Sequence, residues 1–359
     1  MTARTVVAVL VHDEKEWDGL VSSVPDGHLL QCYRWGELKA RYGWTVERFG
    51  TREGSTAAAQ VLWRPTPLGP IGYIPRGPAL GDPRDLTAAS VLMETIHEAA
   101  RSRRAILLKV EPNTADPAPW PALGFRPSRL TFQPQATLIV DLVPDLDTIR
   151  RGQHPKARYN TGLAARRGVS VRTGGLEDLP AFFRLTSVTG MRDGFAIRSQ
   201  AYFRDMLALL GHQAALLLAE HEGDLIAGIL VARFNQEAIY LYGASGEEKR
   251  NLMPNHLLQW EAMRAARFDG CTQYDLWGIP NELATLAVEG AGGDELPEPQ
   301  PHQRGDLWGV YRFKRGLGGR LRSYAGAYDY VYNPPAYWLW ERALPHLRRL
   351  LKRGAPSGE

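Results

Sequence analysis

Two apolar runs, Ala215 to Glu220 and Leu225 to Phe234, are joined by Glu222, Gly223 and Asp224. A glycine between acidic residues reverses a chain cheaply, so the pair reads as a β-hairpin and ties the second half of the chain to a sheet. The segments around it extend the pattern. Before it stand a strand at Val169 to Arg172 and helices at about Leu176 to Thr189 and Gln200 to Leu210. After it come a strand at Ile239 to Tyr242, a helix from Asn255 to Phe268 with Asn255 as its cap, and a strand at Gln273 to Trp277.

The first half repeats this succession more loosely. It has a β-rich run at Val6 to Val11, a short helix from Trp35 to Tyr42, and extended segments around Ala58 to Trp63 and Ile71 to Ile74. A helix from Leu86 to about Arg101, capped by Asp85, follows from the helical spacing of Leu86, Met93, Ile96 and Ala100. The run Ala105 to Val110 reads as a buried strand, and another strand lies near Thr137 to Val140. The order of strand, two helices, hairpin strands, helix and strand resembles the acyltransferase fold known as GNAT. The expectation is an α/β (α+β) chain of two tandem GNAT-like domains. The first spans residues 1–145 and is completed by the C-terminal segment 328–359; the second spans 146–327, opening with an Arg-rich helical segment from Thr148 to Arg167. Gly290 to Gly305, rich in Gly, Pro and Glu, reads as a mobile loop. Tyr337 to Leu351 reads as an amphipathic helix with a basic tail at Arg348, Arg349, Lys352 and Arg353, which either packs on a core or lies on a membrane surface.

Composition narrows the function classes. Cys32 and Cys271 lie far apart in segments that look buried, which excludes a disulfide framework. Nine histidines occur without a close ligand spacing, so no metal is expected. No stretch approaches the roughly eighteen apolar residues of a membrane span, and the run at Val6 to Val11 is too short for a signal-peptide core. The protein is expected in the cytoplasm, with contact at the inner face of the membrane left open. Forty-three Lys and Arg against thirty-nine Asp and Glu suit an anionic partner, and the charge gathers at Arg150 to Arg167 and at Lys314 to Arg322.

The coenzyme A signature of the GNAT fold is missing. A loop of pattern Q/R-x-x-G-x-G/A should cradle a pyrophosphate at a helix N-terminus, but the nearest glycines, Gly316, Gly318 and Gly319, follow Phe313 where Gln or Arg is required. Neither cysteine sits in a reactive turn and no G-x-S-x-G elbow occurs, so a covalent intermediate is not expected. What remains is an ordered set of aromatic and basic clusters: QCYRWGELK at Gln31 to Lys39, YIPRGP at Tyr73 to Pro78, KARYN at Lys156 to Asn160, IYLYGAS at Ile239 to Ser245, YDLWGIP at Tyr274 to Pro280, and GVYRFK at Gly309 to Lys314.

Those six clusters, in that order and over nearly the whole chain, resemble the Fem family of peptidoglycan interpeptide-bridge enzymes. The resemblance implies transfer of an amino acid from aminoacyl-tRNA to the side-chain amine of the diamino acid in a precursor stem peptide. The tRNA is then a co-substrate, no cofactor is needed, and the protein acts as a monomer. The chemistry asks for a neutral amine, whose ordinary pKa is about 10.4, and for positive charge where the ester carbonyl becomes an oxyanion. By resemblance Lys314, with Phe313 beside it, meets the acceptor end of the tRNA; an exposed lysine next to a buried ring is the structural alternative. Lys39 matches a contact to the precursor's phosphates, Tyr240 and Tyr242 flank the expected cleft, and Asp275 orients substrate or serves as a buried partner. Arg76 lies in the R-G-P turn. Asp82 follows it, one residue out of register with the acid of related chains, and either accepts a hydrogen bond from the amine or caps a turn. Lys156, Arg158, Arg166 and Arg167 either track tRNA phosphates or form a solvated face.

Two rival classes stay open: a coenzyme A-dependent GNAT N-acyltransferase, and a non-catalytic Fem-like protein that binds RNA or precursor. The donated amino acid and the choice between a nucleotide- and a lipid-linked acceptor are not written in the sequence.

Overall fold

The computed structural model describes residues 7–51, 55–82, 86–117, 119–193, 197–300 and 307–342. They form two compact units, one of the residues up to Gln133 together with those from Tyr324 on, the other Pro134–Ser323. The division thus falls after Gln133 rather than after residue 145, and the return to the first unit begins at Tyr324 rather than at 328.

In chain order the strands are β1 (Ala8–Leu10), β2 (Thr45–Thr51), β3 (Ala57–Arg64), β4 (Ile71–Pro75), β5 (Ala79–Leu80), β6 (Leu107–Glu111), β7 (Arg126–Pro127), β8 (Ala136–Asp141), β9 (Ser170–Gly174), β10 (Ala214–His221), β11 (Asp224–Phe234), β12 (Glu237–Ser245), β13 (Gln273–Asp275), β14 (Arg320–Ser323) and β15 (Tyr328–Val331). Among the described residues the first sheet runs β1-β2-β3-β4-β6-β15-β7, with β5 paired to β3, and the second runs β9-β10-β11-β12-β13-β8-β14. Each unit holds the expected succession: a strand, two helices, three antiparallel strands, a helix, and a strand parallel to the third. The fold is two tandem GNAT-like units. Strand β8, read from the sequence as part of the first domain, pairs with β13 and β14 in the second sheet.

Local chemistry explains where the elements begin. Asp13 caps the helix Glu14–Ser22 by accepting from Glu16 N–H. Cys32 caps Tyr33–Ala40, its Sγ accepting from Trp35 N–H at 3.4 Å. Both cysteines are free and buried. The basic segment is two helices, Leu146–Arg151 and Pro155–Arg166, because Pro155 opens a new first turn that His154 caps. Asn255 is inside its helix: Pro254–Phe268 starts after Met253, which takes φ 59°. The helix Leu86–Ser102 buries Ala89, Leu92, Met93, Ile96 and Ala100, while Leu86 is exposed; the assigned cap, Asp85, lies outside the described residues.

The glycine-rich stretch after Gly290 is not loose where it is described. Gly290 N–H donates to Leu321 O at 2.9 Å, Leu321 N–H to Ala291 O at 2.7 Å, and Leu296 is buried. Backbone pairing of this kind needs no apolar period, which is why the sequence pattern hides it. The C-terminal helix covers residues 334–342, with Asn333 Oδ1 accepting from Ala336 N–H at 3.2 Å. Its expected continuation to Leu351 and the basic tail lie outside the described residues. Among the described residues no helix is long and apolar enough to cross a membrane.

Strand β15 is held in the first sheet by a buried ion pair. Lys109 Nζ lies 2.7 Å from Asp329 Oδ1 and also donates to Ser128 Oγ and Leu130 O. The Tyr337 hydroxyl lies 2.9 Å from Asp329 Oδ2. Removing one partner leaves an uncompensated buried charge, whereas replacing both with apolar residues removes the desolvation cost as well. Asp329→Ala is therefore expected to cost roughly 3–5 kcal/mol of stability, with Lys109→Met/Asp329→Leu recovering most of it. Urea unfolding of the three proteins checks this, and a double variant as weak as the single one would refute the account.

Candidate active site

The parallel strands β12 and β13 share three residue pairs, ending at Ile239 and Asp275. Beyond that point Leu276 and Ile279 donate their N–H groups to Leu138 and Ala136 O, both at 3.0 Å, so this chain follows β8. Residues 240–245 stay with β11. The two strands part, and the polar groups of the YDLWGIP and GVYRFK clusters meet at the fork.

Asp275 is fully buried. Its Oδ1 accepts from the Thr137 hydroxyl and from Trp277 N–H, the latter at 2.6 Å. The clasp holds Trp277 at φ 59°, a left-handed conformation costly for a bulky residue and typical of sites where geometry is imposed. It turns two successive carbonyls towards Lys314, whose Nζ donates to Gly278 O at 2.7 Å and to Trp277 O at 3.3 Å. The cluster GVYRFK lies on the helix Trp308–Gly316, where Tyr311 and Lys314, one turn apart, both face inward. Lys314 is thus buried, not the exposed side chain of the structural alternative. Burial pulls its ammonium down to about 8, against the opposing pull of the Asp275 carboxylate. An ammonium has three donors. With two committed to carbonyls, one remains on the side of the Tyr240 ring, whose centroid is 5.7 Å from Nζ.

A β-bulge separates the two tyrosines that the sequence groups together. Val231 pairs with Tyr240 and Leu230 with Tyr242, so Leu241 is the extra residue. Tyr240 therefore shares a face with Val231, in the core under the helix Pro254–Phe268, and its hydroxyl lies over Gly243, where a Cβ would come within 1.9 Å of it. Tyr242 points to the other face and packs edge-on against Phe203 at 5.1 Å. Only Tyr240 belongs to the fork.

Phe313 stands on the flank of its helix, edge-on to His256 at 5.0 Å, and Asn160 Nδ2 lies 3.3 Å from His256 Nε2. His256 thus joins the KARYN cluster to the helix that carries Lys314. Burial, with Lys156 nearby, lowers its pKa to about 4, so the ring is neutral at physiological pH. Sequence reading missed it because a single histidine in an apolar helix carries no spacing signal. Along the basic helix, Lys156, Arg166 and Arg167 are exposed. Arg166 lies 5.7 Å over the exposed ring of Tyr159. Arg158 instead donates to Arg151 O and Gln153 O and closes the preceding helix.

In the first unit the QCYRWGELK and YIPRGP clusters converge. Gln31 donates to Pro75 O at 2.7 Å and accepts from Gln60 N–H. Arg76, at φ 47°, is buried with its guanidinium stacked 3.4 Å from the Tyr324 centroid. Lys39 is half-buried, its Nζ 4.7 Å over the Trp35 ring. Asp82 is exposed on its turn. The buried carboxylate of this unit is Glu111, which ends β6 and accepts from the Tyr73 hydroxyl and from the N–H groups of Phe132 and Gln133. Burial pushes its pKa up against those bonds. Standing just past the apolar run Ala105 to Val110, it gave no sign of this role in the sequence.

Among the described residues, the glycines named above and the helix after β12 do not assemble into a coenzyme A site. Gly318 and Gly319 lead into strand β14, not into a helix. The helix that follows β12 opens on Pro254, which has no N–H, after a segment bearing Glu247 and Glu248 where a pyrophosphate would need donors. Among the described residues no cluster of three or more His, Cys, Asp or Glu stands ready for a metal ion.

The doubled topology has counterparts in known proteins. The chain is 27% identical to a lipid II:glycine glycyltransferase of Staphylococcus aureus, over 93% of this chain and 95% of that protein. A crystal structure of FemX superposes with a TM-score of 0.81 at 25% identity, covering 93% of this chain and all of that one. A tandem GNAT protein from the clavulanic acid biosynthesis pathway, 15% identical with a TM-score of 0.52 over 92% of this chain and 99% of its own, shares the fold. The FemAB family model matches residues 13–116, 127–225 and 219–344. This chain belongs to the FemAB family.

Proposed function

We propose that this protein is a tRNA-dependent aminoacyltransferase that adds an amino acid to the stem peptide of a peptidoglycan precursor. The observation that carries this reading is Lys314, an ammonium buried at the fork of β12 and β13 with two donors fixed on carbonyls and one left for a ligand. Attack of the diamino-acid amine on the aminoacyl ester puts negative charge on the carbonyl oxygen. A preoriented donor in a dry site stabilises that charge far better than water would. The amine loses its proton, the ester C–O bond breaks, and the ribose hydroxyl of the tRNA leaves. Asp275 acts through the backbone, holding Trp277 so that its carbonyl and that of Gly278 fix the lysine. Tyr240 forms the floor and Phe313 a wall against His256. Lys156, Arg166 and Arg167 take the tRNA phosphates, Lys39 those of the precursor, and buried Arg76 shapes the R-G-P turn of the substrate-binding unit. Asp82 is exposed beside the R-G-P turn of the first unit, where it is open to a substrate donor or caps the turn. The absence of a pyrophosphate cradle weighs against a coenzyme A thioester as donor.

Incubating the protein with mixed aminoacyl-tRNAs and with nucleotide- and lipid-linked precursors should give a stem peptide heavier by one amino-acid residue in mass spectra. No mass gain from folded protein in any combination would end the transferase reading.

Lys314→Met, which keeps length without charge, is expected to lower kcat by roughly 10²–10³-fold, the usual loss for one oxyanion donor, with an unchanged circular dichroism spectrum. An enzyme that keeps its turnover would remove Lys314 from the chemistry.

The working form of Lys314 is the protonated one. Its burial-lowered pKa of about 8 predicts that kcat falls as pH rises through that value, and a pH profile of Lys314→Met should lack this limb. The same shift has a stability sign: between about 8 and the ordinary lysine value the unfolded chain holds the extra proton, so this group makes folding more favourable as pH rises through that window.

A further inference from the structure

The helix over residues 334–342 carries apolar residues on two sides. Ala336, Tyr337 and Trp340 pack on Ile71, Ile106 and Leu107 of the first unit. On the opposite side Trp338 is 51% and Leu339 46% exposed, and the guanidinium of Arg342 stacks 3.9 Å from the Trp338 ring centroid. Arg126, exposed on β7, lies 4.3 Å over Tyr337 and brings a second cation to the same helix. From Arg342 to the last residue the sequence carries five basic residues and one acidic residue, interspersed with Leu344, Leu347, Leu350 and Leu351.

We propose that this outer face is a docking surface for an anionic phospholipid bilayer. An exposed tryptophan and leucine on one helix, with an exposed arginine stacked on the tryptophan, is the chemistry of an interfacial anchor: the apolar side chains enter the headgroup boundary and the cation pairs with lipid phosphate. The charge selects against a second copy of the chain, because a twofold contact through this face would set Arg342 of one copy against Arg342 of the other. The helix is already pinned by its inner face, so docking costs little ordering. The proposal touches the transferase reading only in favouring a lipid-linked over a soluble acceptor, and its test does not depend on catalysis.

The test is co-sedimentation of the full chain with vesicles of phosphatidylcholine, with and without about one third phosphatidylglycerol. Trp338→Ser/Leu339→Ser, at exposed positions that leave the core intact, is the control variant. The wild type should pellet with the anionic vesicles, less so as salt rises, and partition roughly tenfold more than the double variant. Wild-type protein left in the supernatant at low salt would overturn the proposal. So would a double variant that pellets equally well, or a wild-type dimer in sedimentation velocity that the double variant abolishes. If the protein transfers amino acids, the double variant should match the wild type on soluble precursor and fall behind on precursor in vesicles; equal rates on both would also count against a role for this face. Vesicle binding without any transfer would instead strike the transferase reading and leave the anchor standing.

Discussion

The early parting of β12 and β13 is the constraint on which the second unit is organised. A parallel ladder that stops after three pairs leaves backbone polar groups on both sides to be satisfied elsewhere. On the β13 side β8 takes the N–H groups of Leu276 and Ile279, and Lys314 takes the carbonyls of Trp277 and Gly278. The lysine is thus a structural plug and a charged group at once. That double duty explains why a side chain so expensive to bury sits at the centre of the unit.

The first unit solves the same topological problem differently. Its parallel pair β4 and β6 runs for five residue pairs, and Gly77 bridges on to Glu111. The end of that ladder is filled by Tyr73, Glu111 and Gln133, which are bonded to one another. Both units place a buried carboxylate at the end of the strand parallel to the third of the antiparallel set, Glu111 in one and Asp275 in the other, and both carboxylates accept backbone N–H groups. One fork is closed by its carboxylate; the other is held open by one.

Elements whose side chains alternate or recur were legible in the sequence: the hairpin around Gly223, the helix Gln200–Leu210 and the strands of both sheets' centres. Those defined by backbone pairing were not. Thr45–Thr51 has mixed polarity because Arg48 and Glu47 bond within the unit, and Gly290 and Ala291 pair with Leu321 through main-chain atoms. At the site, the resemblance of whole clusters pointed to Lys314 and Asp275 and set Tyr240 and Tyr242 beside one cleft. A single inserted residue, Leu241, reverses that, and no local propensity announces it. His256 and Glu111 were silent for a related reason, since each acquires its meaning from neighbours distant in sequence.

The position of β15 bears on the order in which the molecule can come into being. This strand lies between β6 and β7, inside the first sheet, yet among the described residues it is the last strand. During synthesis the first unit waits with the edge of β6 uncovered while all of the second unit, whose strands β8 to β14 are contiguous, leaves the ribosome. The half that is made first is finished last, and for that interval an apolar strand edge, with Lys109 on it and its partner Asp329 not yet made, is open to mispairing.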